Sequence, residues 1–347
     1  MDNSSTSLLK VAQTSGLLSE RITSMLLVLN WSVLSATIAV FGIAANIINI
    51  IVFIKMGVRE SVNLSLLCLS LSDLGSLVVL AWISVMSNPL FTSLDLPFIP
   101  TDMIMFSGSW IWICFVRPAG VITAFVTMER CLCIITPLRV HRIFTPKKTA
   151  ICLAAAFFLV LLSLLPVHAY VNFSPIFDVR KNKTLLGIVY LDNADAIEQF
   201  VMITGVIVTA GSVLCVSVFS AVLIHALIQR RRKWKCSKNR GTSQTPENTR
   251  TQSKDVQVAK MILLVAAVFL ITFMPNGAMF LAIELVHEFF PGRAYYNLFN
   301  VCISSSQVLQ GINSSINILL YIKMGSKFRR TARALFLSPK RTQPNLY

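Results

Sequence analysis

Seven long apolar runs, separated by shorter polar stretches, dominate the chain. They are roughly Leu26–Ile54, Val62–Met86, Met103–Thr136, Thr149–His168, Ile197–Ile228, Val256–Leu285 and Tyr296–Ile322. A helix needs about 20 apolar residues to cross a bilayer core, and each run reaches that length. A barrel strand would alternate polar and apolar positions, which none of these runs does. The pattern predicts an all-α membrane protein, a bundle of seven spanning helices.

The intervening stretches add two smaller elements. Between the fourth and fifth runs, the β-prone segments Ala169–Phe173 and Leu185–Leu191 flank a turn region rich in Pro, Asp, Asn and Lys, which predicts a β-hairpin. After the seventh run, Ser326–Leu337 reads as a short amphipathic helix. Phe328, Leu335 and Phe336 would face lipid, and Lys327, Arg329, Arg330 and Arg333 water or headgroups. The organisation is then an N-terminal segment (1–25), the bundle (26–322) and a helix with a tail (323–347). Residues 1–24 are too polar for a signal-peptide core, so the first run is expected to act as its own uncleaved anchor.

Composition agrees: 55% of residues are apolar and only 13% charged, against about 25% charged in soluble domains. The net charge of +16 could suggest a nucleic-acid partner, but its distribution argues against one. Twenty-four of the 31 Lys and Arg share one side of the bundle with four acids. The other side has six bases and ten acids. The basic side marks the cytoplasm, which places the N-terminus outside and the C-terminus inside. The basic face would also favour acidic lipids. Sequons at Asn3, Asn172 and Asn182 then all fall outside, as glycosylation requires. None of the eight cysteines lies in an exterior segment, so a stabilising exterior disulfide is not expected.

Polar groups inside the runs are few. Asn46, Asp73, Asn313, Ser314 and Asn317 could share one cluster. Glu129 and Arg130 form a charged step at the cytoplasmic foot of the third run. An intramembrane enzyme would need a nucleophile or metal constellation, and no His-Glu-x-x-His, Gly-x-Ser-x-Gly or phosphate loop is present. A seven-helix transporter remains the alternative, although Asp73 is the only deep acid.

Four motifs occur in order, each in its own run: Leu69-Ser70-Leu71-Ser72-Asp73, Glu129-Arg130-Cys131, Phe269-Leu270-Ile271-Thr272-Phe273-Met274-Pro275, and Asn313-Ser314-Ser315-Ile316-Asn317-Ile318-Leu319-Leu320-Tyr321. With them the chain resembles the rhodopsin-like (class A) G-protein-coupled receptors along its whole length. The stretches Met128–Pro146 and Ile318–Arg329 are similar to large invertebrate sets, those of molluscs often being called chemosensory receptors. The resemblance implies a receptor that binds an extracellular ligand and activates a heterotrimeric G protein. The ligand would be a chemosensory small molecule, with a neuropeptide as close rival. It also implies that Glu129, Arg130, Asp255 and Tyr321 form the switch facing the G protein, Asp255 latching Arg130 across the cavity. Asp73, Asn313, Ser314 and Asn317 would surround a sodium ion or water cluster, or serve only as polar glue between helices. Phe273 stands where many relatives carry tryptophan beneath the ligand. The family's disulfide is missing, with Met105 at its third-helix position.

The same resemblance disfavours amines, because Trp112 holds the position of their aspartate, and retinal, because Gly311 replaces its lysine. Arg117 is the unexplained charge, thirteen residues before Arg130 and next to Pro118. Two readings stay open: a carboxylate anchor for a ligand, or a group satisfied internally by a helix carbonyl or by Glu198 or Glu284. Trp82, Trp112, Phe273, Gln307 and Gln310 would complete an aromatic and amide-lined pocket.

Overall fold

The computed structural model describes residues 18–136, 140, 142–169, 171–179, 181–190, 194–239, 246–289 and 293–336. The side chains at 169, 194–195, 198, 231, 233–239, 246–255, 284 and 287 stand outside that description. Seven long helices are found among the described residues: α1 (Glu20–Met56), α2 (Ser61–Met86), α3 (Pro100–Ile135), α4 (Pro146–Ala169), α5 (Ala194–Asn239), α6 (Pro246–Leu285) and α7 (Tyr296–Met324). A shorter helix, α8 (Ser326–Phe336), follows. Six of the long helices are apolar enough to cross a membrane. The seventh, α7, is long enough at 29 residues but carries Gln307, Gln310, Asn313 and Asn317, all buried, among its polar residues.

The helices close a ring. α1 packs on α2 and α7, α2 on α3, α5 on α3 and α6, and α6 on α7. α3 is the central strut, also touching α4 and α6. Polar side chains tie the ring where backbones come close. Gly42 of α1 sits so near Ser315 of α7 that a Cβ there would overlap the hydroxyl. Ser72 of α2 donates to the carbonyl of Phe115 in α3 at 2.6 Å. In lipid such contacts, rather than apolar burial, hold helices together.

Two helices contain wider π-turns, Val28–Leu34 in α1 and Ile104–Ser109 in α3. In α1 the carbonyl of Asn30 receives both the N–H and the hydroxyl of Ser35, five residues on. The wider turn brings consecutive side chains to α7: Asn30 donates to Ser304 and Ser305, and Trp31 donates to Gln307 at 2.6 Å.

The hairpin is present, as β1 (Val171–Asp178) and β2 (Lys183–Tyr190), paired antiparallel from Val171↔Tyr190 to Asp178↔Lys183. Asn182 turns between them with φ 50°, a conformation asparagine tolerates better than most residues. The hairpin is also clasped from the segment before α3. Leu186 exchanges backbone hydrogen bonds with Pro97 and Ile99, and its partner in this parallel bridge is Phe98. Asp102 accepts the N–H of Ile188 at 2.9 Å. Phe106 meets Phe173 and His168 edge-on. At the tip, Lys183 donates to Asp95 at 2.6 Å, and this bond holds the Asp95 carboxyl below the usual carboxylate range. A lowered pKa adds stability at neutral pH that is lost in acid, but an exposed pair contributes little.

The expected amphipathic helix is α8, with one correction. Leu335 and Phe336 are exposed, but Phe328 is only 2% exposed and packs between Phe53 of α1 and Tyr321 of α7. The three aromatic positions share a face, yet the helix start lies under the bundle, so its first ring is taken up by protein.

Candidate functional site

Three polar constellations occupy the bundle at different depths. At the end opposite the hairpin, the last turns of α3 turn Glu129 and Arg130 inward. Arg130 Nη2 lies 3.1 Å from Glu129 Oε1, with side-chain exposures of 14% and 2%. Glu129 Oε2 and Arg130 Nε have no protein partner. Both residues line a cavity of about 870 Å³, walled by Val62 and Leu66 of α2, Val258 and Met261 of α6, Tyr321 of α7 and the start of α8. Tyr321 is fully buried on Phe53, their rings 5.2 Å apart, and its hydroxyl has no protein partner. Of the four expected switch residues, the structure brings Glu129, Arg130 and Tyr321 to one cavity. The side chain of Asp255 lies outside the described residues.

Half-way up, Asp73 is completely buried. Asn317 donates to its Oδ2 at 2.9 Å, while Oδ1 has no protein partner. Ser76 Oγ lies 3.3 Å from Ser314 Oγ and donates to the Asp73 carbonyl at 2.8 Å. Asn46 donates to the Ser314 carbonyl at 2.8 Å. Asn313 is buried on the same helix. Sequence reasoning missed Ser76 and also Asn49, which is completely buried with its Nδ2 3.4 Å from Asn46 Oδ1. The i, i+3 spacings Asp73/Ser76 and Asn46/Asn49 were the available signal. One carboxylate, amide oxygens and hydroxyls are hard-oxygen donors, the kind a small hard cation takes.

Nearer the hairpin, Trp112 and Phe273 pack in one cluster with Leu77, Val116 and Phe269. Phe273 stacks on Phe269 with centroids 4.3 Å apart. Gln310 is buried and Gln307 accepts from Trp31, so part of its amide is already engaged. Trp82 does not join them. It is 42% exposed on the outer face of α2, donating to Ser107 at 3.0 Å. Its place in a pocket was inferred from residue type, and the helix rotates it outward.

Arg117 lies between α3 and α5. Its Nη2 donates to the carbonyl of Val201 at 3.3 Å, and its Nη1 is buried without a partner. The expected helix carbonyl is therefore there, but it meets only part of the guanidinium's need. The side chains of Glu198 and Glu284 lie outside the described residues. An Arg this deep costs about 2.5–3.5 kcal/mol even on translocon-insertion scales.

Of the sequons, Asn172 and Asn182 are exposed on the hairpin; Asn3 lies outside the described residues.

A ring of seven helices with a polar core and a charged cavity at one end defines an all-α, multi-pass membrane protein. The chain belongs to the serpentine-type seven-transmembrane G-protein-coupled chemoreceptors of the Srv family, whose model matches residues 79–316. The match takes in Arg117, Glu129, Arg130 and Phe273, while Asp73, Asn317 and Tyr321 fall outside it. No curated protein matches the chain.

Proposed function

We propose that this chemoreceptor binds a small extracellular ligand within the helix bundle and activates a heterotrimeric G protein at the Arg130 end. The carrying observation is the cavity of about 870 Å³ in which Glu129, Arg130 and Tyr321 meet beside α8. A buried charged pair with unused polar atoms at the mouth of a membrane bundle is costly unless a partner uses it. Asp255, on α6, is the proposed latch that closes this cavity, and Asp73, Asn313, Ser314 and Asn317 are proposed to hold a sodium ion or waters in the resting state. Trp112, Phe273, Gln307 and Gln310 are the proposed pocket.

In this reading the motifs shared with rhodopsin-like receptors mark a common switch. The hairpin, with Asn172 and Asn182, faces the exterior of the plasma membrane, and the basic end faces the cytoplasm. Membership of a chemoreceptor family supports a small chemical ligand over a neuropeptide, and a receptor over a transporter.

The test is nucleotide exchange by reconstituted heterotrimeric G proteins on the purified receptor. Arg130→Ala should lower exchange at least about tenfold, as expected when a charged group is lost from an interface, with the melting temperature maintained. Equal exchange by a folded Arg130→Ala receptor would refute this coupling site.

A further inference from the structure

Arg117 is a cation at mid-depth whose surroundings leave it incompletely answered. It sits about 25 Å along α3 from Pro100 and about 20 Å from Arg130, at 1.5 Å per residue. Of its five N–H donors, one reaches the Val201 carbonyl at 3.3 Å, and both on Nη1 are buried without a protein partner. None of the ion pairs Glu129–Arg130, Asp95–Lys183 and Glu60–Lys327 involves Arg117. Space for the guanidinium is provided by Gly205 of α5, where any Cβ would overlap Nη2 and Cζ. Pro118, next in sequence, has no N–H, so the Cys114 carbonyl loses its usual helical donor and the wall here is more polar still.

The same face of α3 continues onto buried aromatics. Gly120 lies one turn from Arg117, and a Cβ built there stands 3.4 Å from the Phe269 ring, which stacks on Phe273. A guanidinium held between α3 and α5 with its Nη1 buried and unused suits a compact planar anion. A guanidinium binds a carboxylate through two parallel hydrogen bonds.

We propose that Arg117 is the anchor of a binding site for small monocarboxylates. This rests on the receptor reading above and names the ligand class for it. Mid-depth position favours a compact acid over a peptide, whose chain would have to follow its terminus down the bundle.

The test uses full-length receptor with benzoate, phenylacetate and hexanoate, each beside its methyl ester. Two readouts are taken: G-protein nucleotide exchange and the melting temperature of the purified receptor. At least one acid should raise both, with its ester about 100-fold less potent, the scale expected for losing one partner of a buried charge pair. Arg117→Gln should weaken the acid about 100-fold and leave the ester unchanged, while Arg117→Lys should retain part of the preference. The proposal is overturned if acid and ester are equipotent, if Arg117→Gln leaves the acid's potency intact, or if no acid changes either readout. If Arg117→Gln fails to reach the surface, Arg117→Lys and the ester comparison on the unaltered receptor decide it. Acid-dependent stabilisation that requires Arg117, without exchange on any G protein, would uphold the anchor and refute the coupling.

Discussion

Asp73 shows how a single buried acid can organise a bundle. It is completely buried on α2, and Asn317 of α7 supplies a donor to one carboxylate oxygen at 2.9 Å while the other has none from protein. Removing that donor leaves the acid worse off than before. Asn317→Ala should therefore cost about 1–3 kcal/mol, the range for leaving a buried polar group unsatisfied, and lower the melting temperature. Asn313→Ala, which removes no bond to Asp73, should cost less. Equal melting temperatures for the two variants would show that the Asn317 bond contributes nothing special. These residues were legible in the sequence because polar groups stand out against an apolar run. Their partners were less so. Ser76 and Asn49 are ordinary residue types in a helix, and only the closeness of α1, α2 and α7 gives them a role. Trp82 marks the opposite failure: its type suggested a pocket, but which way a helix turns each side chain depends on its neighbours.

Among the elements, the hairpin gives the clearest case of structure adding what pattern withheld. β-prone runs and a turn announced the two strands. The clasp from residues 97–102 was hidden because it uses backbone groups of Pro97 and Ile99 and one carboxylate, none of which leaves a periodic signal. Asp102 matters most here, since it is part-buried and satisfies the Ile188 N–H. Gly187 is what lets it approach, because a Cβ there would stand 3.0 Å from Asp102 Oδ2. Asp102→Ala should orphan the Ile188 N–H at a cost of about 1–3 kcal/mol and speed hydrogen exchange along β2. Asp95→Asn, at the exposed pair, should change exchange little. If Asp102→Ala leaves β2 as protected as before, the backbone bridge alone holds the hairpin. α8 carries the same lesson from the packing side. Its amphipathic period predicted the helix, but not that Phe328 would be enclosed by Phe53 and Tyr321 and so couple α8 to the wall of the Arg130 cavity.

Across the whole molecule, apolar runs located the spans but not the helix ends. α5 continues to Asn239 and α6 begins at Pro246, each well past its apolar run, because a helix leaving the bilayer keeps its backbone bonds whatever its side chains. α7 is the converse, a helix of spanning length whose polar side chains face the bundle core rather than lipid. The charge asymmetry bears on orientation. With 24 of 31 basic residues assigned by the apolar runs to the side of Arg130, insertion should leave that side in the cytoplasm, and the hairpin must then enter the secretory lumen during synthesis. Asn172 and Asn182 are both exposed there, and the left-handed turn at Asn182 keeps that side chain clear of the paired strands. Each should therefore receive a glycan, and Asn172→Gln and Asn182→Gln should each remove one step of glycosidase-sensitive gel mobility. Loss of both steps only in the double variant would show that either site is used in place of the other. A receptor that reaches the surface with neither hairpin site modified, and with an epitope in the hairpin accessible only after permeabilisation, would mean the charge rule had been overridden. The Arg130 cavity would then face away from any G protein.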